Sequence, residues 1–410
     1  MYRLRNAGYR ACLVGGGVRD LLLGREPKDF DVATDAHPEH VRSLFRNCRL
    51  IGRRFRLAHV HFGPDIIEVA TFRGLHDPDN DDDERDALLD ERGRIVRDNV
   101  YGSIEEDALR RDFTVNALYY DIENFTVIDY VGGLEDLQAG LIRLIGDPEK
   151  RFREDPVRML RALRFATKLG LRLHPETEAP LHALGQLLRD IPSARLFDEM
   201  LKLFLSGHGL QTFEGLRHHR LFEQLFPLTE RALSREEQGF PHIFLARALE
   251  NTDKRVAEGK PVTPAFLIAA LLWEPVRERL PQFLEDGESE LMAMQLAADE
   301  VLRLQAERTA LPRRFSTPAR EIWAMQLRLP RHSGRRAQKL MEHPRFRAAY
   351  DFLLLRGAAG EQVGELCEWW TQFLEGDDGA RDAMLHGTGA RTRSTRRRHR
   401  SKGAAGSVSG

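Results

Sequence analysis

The chain has 410 residues, 42% of them hydrophobic and 30% charged, with a formal net charge of −1. That length exceeds one typical core, so two or three domains are expected. Its most apolar run, residues 266–273, is too short to cross a bilayer, and the N-terminus has no secretory leader pattern, so a cytoplasmic location is expected. Cys12, Cys48 and Cys367 are odd in number and far apart, which excludes a disulfide scaffold and suits a reducing compartment. A near-neutral sum argues against a polyanionic partner, but the charges are segregated. Residues 76–91 are densely acidic, whereas residues 391–402 carry seven Lys or Arg and no acid. Tails of the second kind bind polyanions by releasing counterions.

In chain order, a short apolar run at 11–14 precedes Gly15-Gly16-Gly17, and residues 18–23 read as helix. Residues 29–32 are a strand candidate, followed by a helix at 38–45. Runs at 59–62 and 66–72 flank Gly63-Pro64-Asp65 and read as a hairpin. Ser103-Ile104-Glu105-Glu106 is a capping box that starts a helix running towards Arg111. Two more strands are expected at 118–121 and 126–130. Asp155-Pro156 reads as the start of a long helix, acid as cap and proline first. From there apolar spacing is helical to about 374, and the Gly-, Ser- and Arg-rich remainder is expected to be disordered. The fold class is therefore α+β. The division expected is a head at 1–145 with a small mixed sheet, a helical neck at 146–225, a helical body at 226–375 and a basic tail at 376–410.

The segment Lys28-Asp29-Phe30-Asp31-Val32 carries the chemistry. If it is a strand, Asp29 and Asp31 share one face, about 7 Å apart at Cα, while Phe30 turns to the core. Two carboxylates so placed repel unless a hard cation sits between them, and oxygen ligands with open positions suit Mg²⁺. Alone, such a pair is more often a solvated loop. Ten residues upstream, however, the glycine triplet leads into a helix with Arg19 beside it. Backbone N–H groups there can approach a phosphate, and a guanidinium adds a fixed fork. A phosphate cradle beside a metal-binding acidic pair is one coherent site.

Three blocks resemble a known family. Residues 13–34 (LVGGGVRDLLLG…KDFDVAT), residues 110–121 (RRDFTVNALYYD) and residues 154–164 (EDPVRMLRALR) are similar to the class II nucleotidyltransferases, the group of tRNA CCA-adding enzymes and bacterial poly(A) polymerases. Residues 51–59 (IGRRFRLAH), the block at 336–351 and the arginine-rich end resemble the poly(A) polymerase branch, with CCA addition as the alternative. Of the family's helix ahead of the first strand, only residues 2–6 have a counterpart. Either that helix is short here or the start is assigned late.

The resemblance implies AMP transfer from ATP to RNA 3′ ends with release of pyrophosphate, promoting RNA decay. It implies two Mg²⁺ ions held by Asp29 and Asp31, with Asp112 as the favoured third acid. Glu68, a carboxylate in an otherwise apolar strand, competes for that role and for the metal. Gly16, Gly17, Arg19, Arg111 and Asn116 are implied to bind nucleotide, and Asp155, Arg158 and Arg161 to face the incoming base and phosphates. A plain ion pair with Asp107 is the dull alternative for Arg111, and a solvated stripe that for Arg158, Arg161 and Arg164. Arg53, Arg54, Arg164 and the tail's Arg396, Arg397 and Arg398 are expected to meet RNA. RNA-decay proteins are the expected protein partners, and a monomer is the default. Removing the residues after Gly389 should weaken RNA binding and flatten its salt dependence, read as the slope of log affinity on log salt; an unchanged slope contradicts the assignment.

Overall fold

The computed structural model describes residues 1–52, 56–74, 87–89, 95–98, 100–235 and 240–385. Arg53, Arg54, most of the acidic 76–91 stretch and the tail arginines 396–398 lie outside them. Two compact units divide the chain: Met1–Ile191 with Gly215–Leu221, and Pro192–Glu214 with Phe222 onward.

The first unit is built on a seven-stranded mixed sheet. Its strands are β1 (Ala11–Val14), β2 (Asp31–Thr34), β3 (Cys48–Ile51), β4 (Leu57–Phe62), β5 (Asp65–Thr71), then, past the separate pair β6 (Ala87–Leu89) and β7 (Ile95–Asp98), β8 (Leu118–Asp121) and β9 (Thr126–Asp129). The spatial order is β3-β4-β5-β2-β1-β8-β9, antiparallel throughout except for the parallel β2–β5 pair. The expected hairpin is β4–β5. It closes Phe62 against Asp65 through Gly63 and Pro64, with Gly63 at φ 62, where a left-handed residue matches the strand twist. The strand β3 was not foreseen, because it has only four residues, none of them buried.

The two sheet faces differ. Leu13, Val32, Val60 and Val69 face a hollow that Leu4 and Phe45 also line. That hollow has no charged residue in its lining. The opposite face carries Cys12, Val14, Ala33 and Tyr119, packed against Ile104 and Ala108 of helix Ile104–Leu109. The expected capping box starts that helix: Glu106 N–H donates to Ser103 Oγ at 3.2 Å, and Ser103 N–H to Glu106 Oε2 at 2.7 Å.

Helices Pro148–Glu154 and Val157–Leu169 belong to the first compact unit, which runs to Ile191 and takes in Gly215–Leu221. The physical reason is side-chain burial on the sheet domain. Phe165 meets Phe113 edge-on at 5.7 Å, and Arg25 donates to the carbonyls of Lys168 (3.1 Å) and Leu169 (2.9 Å), closing the open end of the longer helix. A short parallel pair, β10 (Leu141–Ile142) with β11 (Arg172–Leu173), adds backbone bonds.

The second unit is helical among the described residues. Trp323 is fully buried and donates its indole N–H to Ala269 O at 3.1 Å; Trp370 does the same to Leu329 O. Ordered structure runs past residue 376, where disorder was expected. Residues 378–385 are helical, Leu385 joins the core cluster of Trp370 and Phe373, and Arg381 donates to Phe373 O and Leu374 O. No helix among the described residues is long and apolar enough to cross a membrane.

Gly133 opens helix Gly133–Ala139 hard against the neighbouring backbone: a Cβ there would lie 2.3 Å from Thr114 O. The atoms met at closest range are backbone and cannot yield cheaply, so Gly133→Ala should destabilise the protein by about 1–3 kcal/mol. A thermal-unfolding midpoint equal to that of the parent would contradict this reading.

Candidate active site

The sheet register assembles the acidic site. Asp31 opens β2 and lies opposite Glu68 of the parallel strand β5; Glu68 in turn lies opposite His59 of β4. Directly paired residues share a face, with strands about 4.8 Å apart. His59 Nε2 stands 3.3 Å from Glu68 Oε2. Asp29 is not in the strand, which begins at Asp31, so the expected single-strand pair is corrected: Asp29 sits in the irregular segment before β2. It follows a bend at Lys28 and is still close enough to act on Asp31 electrostatically. The Asp31 carboxyl is pushed above its ordinary value, first by crowding of surrounding atoms and then by Glu68 and Asp29, with Arg111 pulling it back. Asp31 nevertheless stays exposed on the open side. Three carboxylates gathered at one open edge are a fitting donor set for a hard divalent cation.

The glycine turn lies against this edge. Gly15 has φ 72 and precedes helix Gly16–Leu22. A Cβ on Gly17 would meet Asp29 O at 3.4 Å, an ordinary contact distance, which sets the turn against the Asp29 backbone. The first-turn amides, Gly16 and Gly17 among them, have no intrahelical acceptor; Gly16 is half-buried and Gly17 buried.

Behind the turn, several expected ligands are committed to one another. Arg19 is 3% exposed; its guanidinium holds Asp20 Oδ1 at 2.8 and 2.6 Å and donates to Asn116 Oδ1. Asn116 donates to Asp112 Oδ1 at 3.3 Å. Arg161 donates to Asp112 Oδ2 from Nε at 2.9 Å and also from Nη2. Burial alone would raise the Asp112 carboxyl, but Arg161 and these hydrogen bonds hold it below the ordinary range. Asp112 is thus neutralised by a neighbouring helix, whereas Glu68 stands beside Asp31. Arg158 donates to Arg151 O (2.7 Å) and Glu154 (3.1 Å), and Asp155 accepts from Val157 N–H at 3.3 Å.

Arg19, Arg161 and Arg164 converge on the Phe165 ring, at 5.4, 5.5 and 4.6 Å from its centroid. Lys168 lies nearby, its ammonium held below the ordinary range by burial first and then by Arg19, Arg164 and Lys28, against the pull of Asp20. Such a concentration of cations favours a polyanion such as triphosphate. Lys168 escaped the sequence reading because its spacing from Arg164 marks only an ordinary helix face.

Residues 11–143 match the family described as the poly A polymerase head domain, residues 170–233 that described as "Probable RNA and SrmB- binding site of polymerase A", and residues 286–403 the polymerase A arginine-rich C-terminus. Poly(A) polymerase I of Salmonella typhi is 52% identical over 94% of this chain and 83% of its own length. This chain belongs to the poly(A) polymerase I family. A CCA-adding enzyme of Lactobacillus helveticus is 37% identical over 54% of this chain and 53% of its own. Among solved structures, the Bacillus stearothermophilus CCA-adding enzyme in complex with CTP shares the fold, with a TM-score of 0.57 and 28% identity over 90% of this chain and 78% of that one.

In this poly(A) polymerase I family member, Arg111 is oriented by Asp107, expected only as an ion-pair partner, and by Tyr119. Arg111 donates to Asp107 Oδ2 (3.2 and 3.0 Å) and to Tyr119 Oη (3.0 Å), while Tyr119 O–H donates to Asp107 at 2.6 Å. The pair with Asp107 is real, but Asp107 is only 7% exposed, so this is an interior clamp rather than a surface ion pair. A Cβ on Gly15 would lie 3.5 Å from Arg111 Nη1, which places the guanidinium beneath the glycine turn.

Burial alone would raise the Asp107 carboxyl; Arg111, with Tyr119, more than offsets that and holds it below the ordinary range. A depressed folded value means that the contribution is complete above the unfolded carboxylate value, about 3.9, and fades as pH falls towards the folded value. Asp107→Asn should destabilise by about 3 kcal/mol at neutral pH, because it leaves a largely buried Arg111 uncompensated. The gap to the parent should narrow on acidification below about 3.9. Denaturant unfolding at several pH values checks this, and a pH-independent gap would count against the clamp.

Proposed function

We propose that this chain is a template-independent poly(A) polymerase, transferring AMP from ATP to RNA 3′ ends and releasing pyrophosphate. The observation that carries the proposal is the register of Asp31 with Glu68 beside Asp29 and the glycine turn. Asp29, Asp31 and Glu68 would hold two Mg²⁺ ions, which supply Lewis-acid stabilisation of the reacting phosphate and lower the proton affinity of the attacking hydroxyl. Glu68 takes the third acidic role, and Asp112 the role of an anchor for Arg161.

The 3′-hydroxyl oxygen of RNA forms a bond to the α-phosphorus of ATP as the bond to pyrophosphate breaks, and the hydroxyl proton is lost from the attacking oxygen. The amides of Gly16 and Gly17 receive phosphate oxygens, and Arg111 lies beneath them, held by Asp107 and Tyr119. Arg161, Arg164 and Lys168 offset the charge of the triphosphate. Arg19 and Asn116 act one layer back, fixing the turn through each other. Arg158, steadied by Glu154 and Arg151 O, presents a fixed fork for the base edge beside Asp155. Alternate conformers of a flexible cation would blur that reading, so steadying it favours selection of one base. Residues 170–233, with the basic tail, would hold the RNA strand, and tails so made would mark transcripts for decay proteins.

The alternative reading, CCA addition, shares the fold, but the sequence of the Lactobacillus helveticus CCA-adding enzyme matches 54% of this chain against 94% for poly(A) polymerase I of Salmonella typhi. One assay separates the two. Purified protein with Mg²⁺ should extend unrelated RNA into a long ladder with ATP and do little with CTP. Ordered CTP and then ATP addition, restricted to trimmed tRNA, would overturn the proposal. Asp31→Ala should abolish incorporation while retaining RNA, and Glu68→Gln should reduce incorporation at least about a hundredfold, as expected for loss of transition-state charge stabilisation. Asp31 binds its proton more tightly than an ordinary aspartate, and proton and cation compete for it. The Mg²⁺ concentration giving half-maximal rate should therefore rise as pH falls; a Mg²⁺ requirement independent of pH would argue against Asp31 as a ligand.

A further inference from the structure

Away from the acidic edge, the first unit holds a second group with metal-ligand geometry. Glu178 ends helix Pro175–Glu178, His218 ends helix Gly209–His218, and His219 follows it. One ligand atom from each lies within 4.8 Å of the other two. His219 Nε2 stands 3.4 Å from Glu178 Oε1. On a tetrahedral zinc with bonds of about 2.0–2.1 Å, neighbouring ligand atoms are about 3.3–3.4 Å apart. That pair already has the spacing of one coordination edge.

Adjacent residues on a continuous helix do not face each other. Here the helix stops. Leu221 N–H donates to Leu216 O at 2.8 Å and Arg220 N–H to Arg217 O at 3.0 Å, with Arg220 at φ 55. This is the Schellman closure, with an arginine in the left-handed position that glycine usually fills. The closure leaves His219 at the cap, and its ring meets that of His218 edge-to-face, centroids 4.8 Å apart at 85°. A strained non-glycine residue directly after two convergent imidazoles is the kind of backbone feature found at ligand sites.

We infer that Glu178, His218 and His219 form a site for one zinc-class divalent cation, separate from the magnesium site, with water completing the tetrahedron. The donor set decides the class. Two imidazoles and one carboxylate suit Zn²⁺, whereas Mg²⁺ prefers oxygen ligands in octahedral array. The ion ties His218 and His219 to helix Pro175–Glu178. Both ends lie within residues 170–233, the stretch matching the RNA-binding family, and residues 215–221 belong to the first unit while their flanks belong to the second. A cation there anchors that returning segment. The rival is a simple Glu178–His219 ion pair, which has no use for His218.

The test uses the full chain, stripped with chelator and held in excess Mg²⁺ so that the carboxylate site is occupied. Zn²⁺ should bind with one-to-one stoichiometry by calorimetry and raise the thermal midpoint, since only the folded state gathers the ligands. Co²⁺ in its place should give the intense visible band of a tetrahedral site, which reports geometry in the parent without any substitution. His218→Gln, His219→Gln and Glu178→Gln should each weaken Zn²⁺ binding at least about tenfold, while Glu176→Gln should leave it unchanged. No Zn²⁺ binding in excess Mg²⁺, an octahedral cobalt spectrum, or undiminished binding in His218→Gln would each overturn the inference. Incorporation activity is not a readout, so failure here is distinguishable from failure of the polymerase assignment.

Discussion

The structure turns on one unfavourable contact. The parallel β2–β5 pairing places Asp31 directly opposite Glu68, and Asp29 adds a third negative charge to the same edge. Like charges directly opposite on neighbouring strands destabilise a sheet. The sheet tolerates the pair because the register is imposed by the rest of those strands: Val32 opposite Val69, Ala33 opposite Ala70 and Thr34 opposite Thr71, nearly all buried. Slipping the register by one residue would relieve the acids but turn Val32 and Val69 away from their core. The apolar strand interiors therefore hold an acidic edge poised for a cation.

A second layer fixes what surrounds that edge. Arg111 is clamped by Asp107 and Tyr119, Arg19 by Asp20 and Asn116, and Arg161 by Asp112. Each guanidinium is oriented by a partner whose own position comes from a different element. Those ties run from the sheet domain to helix Val157–Leu169, with Phe165 packed among three arginines. Cations fixed in this way need little rearrangement to stabilise a phosphate, which suits the proposed transfer. They also explain why the first compact unit includes that helix.

Local chemistry was legible where it depends on neighbours in the chain. The hairpin at Gly63-Pro64, the Ser103–Glu106 capping box, the strands around Tyr119 and Val127 and the helical character of the later chain all follow from turn residues, caps and periodicity. The glycine triplet and the Asp-x-Asp segment likewise stood out, because few other chemistries need them together. Even there a detail escaped: alternation suggested that Asp29 and Asp31 share a strand, but β2 starts only at Asp31.

The sequence by itself determined the ingredients of this site: a glycine turn, paired acids, an arginine-bearing helix and a family whose blocks contain all three. Which acids meet was decided only by tertiary structure. Glu68 and Asp112 lie 37 and 81 residues beyond Asp31, and no local rule ranks such distant partners. Strand register brought Glu68 to Asp31, while helix packing gave Asp112 to Arg161. Long-range pairing depends on how whole apolar faces are buried, and that is a property of the assembled sheet rather than of any segment within it.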